Sequence, residues 1–146
     1  WQTRNKEVLE RISADSLQAF EVDLKCLVAA VRELGIQPVL STHANRFGER
    51  AQSDSLWLTG WRYQYPILHE SGFIDLERRA NEIVREVAKS EKVPLVDAAA
   101  VLSGRSELFV DHAHFNDAGA AMIATAMAPV VIENLQQTLS RQNARY

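Results

Sequence analysis

The stretch FVDHAHFNDAG, residues 109–119, sets Asp111, His112, His114 and Asp117 within seven positions. Three chemistries use such a set. In the first, a turn lets Asp111 meet His114. The carboxylate accepts one ring N–H and fixes the tautomer, which leaves the other nitrogen as a general base. In the second, His112 and His114 share a metal ion, with Asp111 or Asp117 as third ligand. In the third, Asp111 and Asn116 are turn and cap residues, and the histidines are polar surface groups.

An Asp and a His three residues apart often arise by chance, so the surroundings carry the choice. The block lies between the apolar pair Phe109–Val110, expected to anchor the loop, and an alanine-rich segment that reads as a helix with Asn116 as its N-cap. The only other histidines are His43 and His69, and the single cysteine is Cys26. No second ligand cluster supports the metal, so no metal is expected, and one cysteine allows no internal disulfide. No cofactor motif is present.

The elements that must hold this block read as follows. Residues 16–34 form an amphipathic helix with Leu17, Phe20, Leu24, Leu27, Val28, Val31 and Leu34 on one face. Asp15 or Ser16 is expected to cap its start and Gly35 its end. Residues 1–14 extend it or form a separate short helix. IQPVLST (36–42) reads as a buried strand, and residues 43–73 as a long irregular stretch holding Trp57, Trp61, Tyr63, Tyr65 and Phe73. Those rings either cover the core or wall a substrate cleft. A second helix spans 75–91 with Leu76, Ala80, Ile83, Val84 and Val87 as its stripe. VPLVD (93–97) is a second strand, 98–103 a short helix or turn, and 116–140 a last helix that Pro129 should kink or break.

The order is helix, strand, loop, helix, strand, helix: an α/β pattern with two parallel strands, in a single domain over 1–146. Two strands cannot cover three apolar helix faces, so the sheet is expected to gain strands from elsewhere. Net charge is −3 and charged residues make up 24 %, with no basic stripe, so nucleic acid is not an expected partner. Read residue by residue, no apolar run is of transmembrane length. The chain starts at Trp1 without an initiator Met, and its sequence does not indicate a compartment.

From about residue 16 to 135 the chain resembles the C-terminal part of an SGNH (GDSL-type) hydrolase. Three stretches carry the likeness, in family order: LVAAVRELGIQPVLST, LERRANEIVREVAKSEKVPLVDAAAVL and FVDHAHFNDAGAAMIATAMAPVV. The last matches the family's D-x-x-H block. The resemblance implies a three-layer α/β/α flavodoxin-like fold, of which this chain is the C-terminal portion, with two parallel strands and about three main helices. It implies that Asp111 and His114 are the acid and base of a Ser-His-Asp triad, that His112 is a variable position, and that Gly119 permits close packing of the last helix. The substrate class implied is a small-molecule, carbohydrate or lipid ester.

The chain departs from the family in lacking the G-D-S-like nucleophile motif, the oxyanion glycine and the G-x-N-D block. SDS at 53–55 lies in the long loop. Ser41 ends a strand with no helix following directly, so it lacks the strand–turn–helix geometry of a nucleophile. The serine and oxyanion donors are therefore expected on upstream sequence, and the missing strands on that N-terminal part or on a homodimer partner. His43, Asn45 and Arg46, after the first strand, are candidates to line the cleft; a polar loop is the other reading. The competing functions are a non-catalytic interaction module and a metal-dependent hydrolase using His112 and His114.

Overall fold

The structure, a computed structural model, describes residues 8–48, 60, 63 and 65–143. In order come α1 (Ala14–Glu33), β1 (Leu40–Ser41), α2 (Glu70–Ser90), β2 (Leu95–Val96), α3 (Ala98–Leu102), a 3₁₀ turn (Ser106–Leu108) and α4 (Asp117–Asn143). The described residues thus form a mixed α/β fold, with four helices about a two-stranded parallel sheet.

The sheet pairs Leu40 with Leu95 and Ser41 with Val96. The Leu40 N–H donates to the Pro94 carbonyl at 2.9 Å and the Thr42 N–H to that of Val96 at 3.1 Å. Both strands are shorter than their apolar runs, because Pro38 and Pro94 have no N–H to give a ladder.

The turn after α1 follows the sequence closely. Gly35, at φ 73°, sits in the left-handed region, its N–H reaching Arg32 O at 2.9 Å while Ile36 N–H reaches Val31 O at 3.2 Å. These two bonds form a Schellman stop. At the other end the cap is Ser13, not Asp15 or Ser16: its hydroxyl accepts the Ser16 N–H at 3.1 Å. Residues 8–13 form neither an extension of α1 nor a short helix of their own, contrary to the expectation for 1–14. Leu9 bridges Leu68, giving its N–H to Ile67 and accepting from His69, each at 2.8 Å. Residues 1–7 lie outside the described residues.

α2 begins at Glu70, five residues before the expected start, and so takes in Phe73. Its cap is His69, whose Nδ1 accepts from the Ser71 N–H at 3.3 Å. The aromatic stretch separates accordingly. Phe73 is buried, Tyr63 and Tyr65 are exposed, and Trp57 and Trp61 lie outside the described residues.

The core is built in two clusters. Ala44, Ala98, Leu102, Leu108 and Phe109 form one, with Phe115, Met122 and Ile123 packed on it; Phe47, Leu68 and Phe73 form the other. Burying side chains such as Leu102 and Phe73 stabilises the fold by roughly 1.5–3 kcal/mol each. α2 keeps its predicted stripe inside, with Val84 and Val87 buried. α1 does not: Leu17 and Val28 are buried, yet Phe20, Leu27 and Leu34 are exposed. A two-stranded sheet is too narrow to cover that whole face.

α4 runs unbroken through Pro129, against the expected break. The carbonyl that loses its donor is that of Thr125, which is exposed, so water can satisfy it. Asp117–Ser140 is long and apolar enough to cross a membrane by length and composition, with mean hydropathy 1.5. Only 6 % of its apolar window is buried; Met122 and Ile123, in its first two turns, pack on the core.

Candidate active site

A small hairpin presents the Asp111–His114 block. Phe109 and Phe115 form an antiparallel bridge, with ring centroids 5.0 Å apart, and the Val110 N–H donates to His114 O at 2.9 Å. Neighbours along extended backbone face opposite ways, so Phe109 is buried whereas Val110 is 55 % exposed. The expected anchor pair is therefore Phe109 with Phe115, not with Val110. Downstream, Asn116 caps α4: its Oδ1 accepts the Gly119 N–H at 3.0 Å and its Nδ2 donates to Glu107 O at 2.7 Å. Gly119 packs so closely that a Cβ there would run into the Leu108 carbonyl oxygen.

Within the hairpin, Asp111 binds His114 twice and Ala113 once. Asp111 Oδ2 lies 2.7 Å from His114 Nδ1, and Oδ1 accepts the backbone N–H groups of His114 at 2.8 Å and Ala113 at 2.9 Å. Partial burial pushes the Asp111 carboxyl up. The His114 and Ala113 N–H groups and the imidazole outweigh it and hold the pKa at about 2. An ionised carboxylate only accepts, so the shared proton belongs to Nδ1 and the lone pair to Nε2. The His114 side chain is 76 % exposed, leaving Nε2 open to a reacting group. The pair has the geometry of an oriented general base.

His112 stands apart from that bond. Its ring centroid is 6.5 Å from that of His114, at 69° between planes. Among the described residues no group of three or more His, Cys, Asp and Glu side chains converges as a metal site requires.

The other three candidate residues occupy the loop that leaves β1, and each is bonded into the fold. His43 Nδ1 meets Glu77 Oε2 on α2 at 2.6 Å. Asn45 is buried; its Oδ1 accepts from the Phe47 and Gly48 N–H groups at 3.0 and 2.9 Å, closing a turn. Arg46 gives its backbone N–H to His112 O at 3.0 Å, and its Nη1 to Ser106 O at 3.0 Å and Phe109 O at 3.2 Å. So the structure joins Arg46 to the Asp111–His114 hairpin, and joins His43 to α2. A hollow of about 410 Å³ opens at the carboxyl ends of the strands, where α/β folds bind ligands, with Asn45, Glu77, Asn81, Arg85 and Ser103 in its wall. Neither Asp111 nor His114 lines it.

Three residues at this end escaped the sequence reading. Asn81 is buried on the apolar face of α2, and its place one turn before Val84 and Val87 was the available signal. Arg85 grips Asp97 with Nε on Oδ2 at 2.8 Å and Nη2 on Oδ1 at 3.0 Å. That guanidinium, with Thr42 and the Ala100 N–H, holds the Asp97 carboxyl below its ordinary range. Asp97 also caps α3, through the Ala100 N–H at 3.2 Å, and takes the Thr42 hydroxyl at 2.9 Å, tying both strand ends together.

Among the described residues the Ser41 hydroxyl donates to the Thr42 carbonyl at 3.1 Å, and no imidazole accepts it. Comparison of the chain with family models, with curated proteins and with solved structures gives no match.

Proposed function

We propose that this chain is the acid–base half of a serine esterase of the SGNH type, with a three-layer flavodoxin-like architecture when complete. The observation that carries the reading is the 2.7 Å bond between Asp111 and His114, with the carboxylate held on its other oxygen by two backbone N–H groups. In an acyl transfer, His114 Nε2 takes the proton of a serine hydroxyl as it attacks the ester carbonyl. It then returns that proton to the departing alcohol. Asp111 keeps the ring in the required tautomer and stabilises the imidazolium. The serine and the oxyanion donors come from polypeptide other than residues 1–146.

That second polypeptide also completes the sheet. Leu27 and Leu34 on α1 and Leu135 and Leu139 on α4 are each more than half exposed, and β1 has one edge without a strand among the described residues. Added strands on that edge would satisfy its open backbone groups. The N-terminal part of the same protein would supply both the strands and the serine; a second copy would cover the edge alone.

The test is kinetic. The 146-residue chain alone should hydrolyse an activated aryl ester no faster than free imidazole. With the serine-bearing part supplied, His114→Ala should cost on the order of 10⁴-fold or more in kcat, since triad members act as a unit. Full activity of the short chain, abolished by Ser41→Ala, would overturn the assignment. Activity lost to a chelator and to His112→Ala would favour a metal-dependent hydrolase.

A further inference from the structure

We infer that Arg46 is a positioning residue for the Asp111–His114 pair, acting from the loop after β1 and not on the substrate. The inference rests on the proposed triad role of that pair and names what holds it in place. Arg46 donates to three carbonyls on the segment that carries the pair. Its Nη1 donates to Ser106 O and Phe109 O, at 3.0 and 3.2 Å, at the start and just past the end of the 3₁₀ turn that leads into the hairpin. Its backbone N–H takes His112 O, at 3.0 Å, between the two functional residues. One residue therefore fixes the entry and the tip of the hairpin together.

The hairpin needs such a hold. Its own closure is a single isolated bridge, Phe109 to Phe115, and its tip residues 110–114 lie outside the core. A short hairpin of that kind is marginal in water by itself. The loop that supplies Arg46 is in turn fixed. The Asn45 N–H donates to Ser103 Oγ at 3.1 Å, Gly104 N–H donates to Asn45 O at 3.0 Å, and Asn81 bonds the His43 backbone. Both side-chain bonds leave one nitrogen, Nη1, whose two N–H directions are fixed in the guanidinium plane, whereas a lysine ammonium on a flexible stem is a less directed donor.

The experiment is nitrogen-15 NMR of the histidine rings with amide hydrogen exchange, on the 146-residue chain. In the wild type the neutral His114 ring should carry its proton on Nδ1. Arg46→Ala should shift it toward a mixture of tautomers, and should speed exchange of the Ala113 and His114 amides about tenfold or more. Val87, in the core, reports global stability and should keep its rate. Arg46→Lys should restore part of the Nδ1 signal, which a purely bulk contribution would not do. An unchanged His114 tautomer and unchanged Ala113 and His114 exchange in Arg46→Ala would overturn the inference. Should that variant not fold, Arg46→Lys decides alone: hairpin amides that match the wild type overturn the inference, and faster hairpin exchange with Val87 unchanged supports it. Asp111→Asn separates the two readings. If it leaves the His114 ring signals as they were, the pair itself is absent and the esterase reading fails too. If it alters them while Arg46→Ala does not, only the role of Arg46 fails.

Discussion

Asn81 holds His43 from both sides: its Oδ1 accepts the His43 N–H at 2.7 Å, and its Nδ2 donates to the His43 carbonyl at 2.9 Å. The amide does for the chain leaving β1 what a neighbouring strand would do, satisfying one donor and one acceptor on the same residue. Asn81→Ala strands both groups, and Asn81→Asp keeps only the acceptor. Each should destabilise the fold by about 1–3 kcal/mol, read as a lower urea midpoint with an unchanged slope.

His43 adds a pH dependence to the same junction. Its hydrogen bond to Glu77 raises the imidazole pKa despite partial burial. A raised folded pKa favours the folded state while the ring is protonated. The contribution is full below the unfolded value, about 6.5, and is lost as pH rises through the folded one. Since the ring is 56 % exposed, the effect is modest. Wild type should lose slightly more stability than His43→Gln between about pH 6 and 9; parallel curves would remove the pair from the stability of the fold.

The sequence made some of this legible and hid the rest, for physical reasons. The α2 stripe and the Gly35 stop are local patterns, and local geometry decides them. The Asp111–His114 contact was legible because its three-residue spacing closes within one turn. Arg46 was legible as a loop candidate, but its bonds, like those of Asn81, were not, because they span long stretches of chain: Arg46 to Phe109 crosses 63 positions. No periodicity reports a contact of that range. α1 shows the opposite failure. Its apolar face is real in sequence, but Phe20, Leu27 and Leu34 stay exposed among the described residues, so pattern ran ahead of burial.

Asp111 should leave a mark at acid pH. Its folded pKa, about 2, lies below the ordinary value of about 3.9. A depressed pKa contributes stability above the unfolded value, and that contribution is lost as pH falls from about 4 toward 2. After allowance for solvent screening of a side chain one-third exposed, it amounts to about 1 kcal/mol. Asp111→Asn should be less stable than wild type near pH 6, with the gap narrowing near pH 2.5 in urea titrations.

Lys92 holds φ 53° just past α2, doing the job that Gly35 does past α1. Its N–H reaches Lys89 O at 3.3 Å and the next, on Val93, reaches Ala88 O at 2.8 Å. The left-handed conformation costs a side-chain-bearing residue roughly 1 kcal/mol. Lys92→Gly should therefore stabilise the chain by a little under that amount, since the unfolded state also gains freedom. Thermal melts raised by a few degrees would bear this out; a lowered Tm would mean that the lysine side chain contributes more than its backbone costs.

Gly119 couples the packing of α4 to the hairpin. A Cβ there meets the Leu108 carbonyl oxygen, and Phe115 ring and Cβ atoms lie at 3.0 and 3.1 Å. Leu108 O already accepts the Asn116 N–H at 3.0 Å, and the Gly119 N–H is the one that Asn116 caps. Backbone atoms cannot swing aside as the end of a flexible side chain can, so α4 must move outward or the turn must open. Gly119→Ala should cost about 1–3 kcal/mol or slightly more. Because Phe115 closes the hairpin against Phe109, the change should also loosen the Asp111–His114 bond. Faster exchange of the His114 amide, beyond the rise that lost global stability gives at Val87, is the expected sign. A variant with wild-type stability and wild-type His114 exchange would show that the close approach at Leu108 does not constrain the turn.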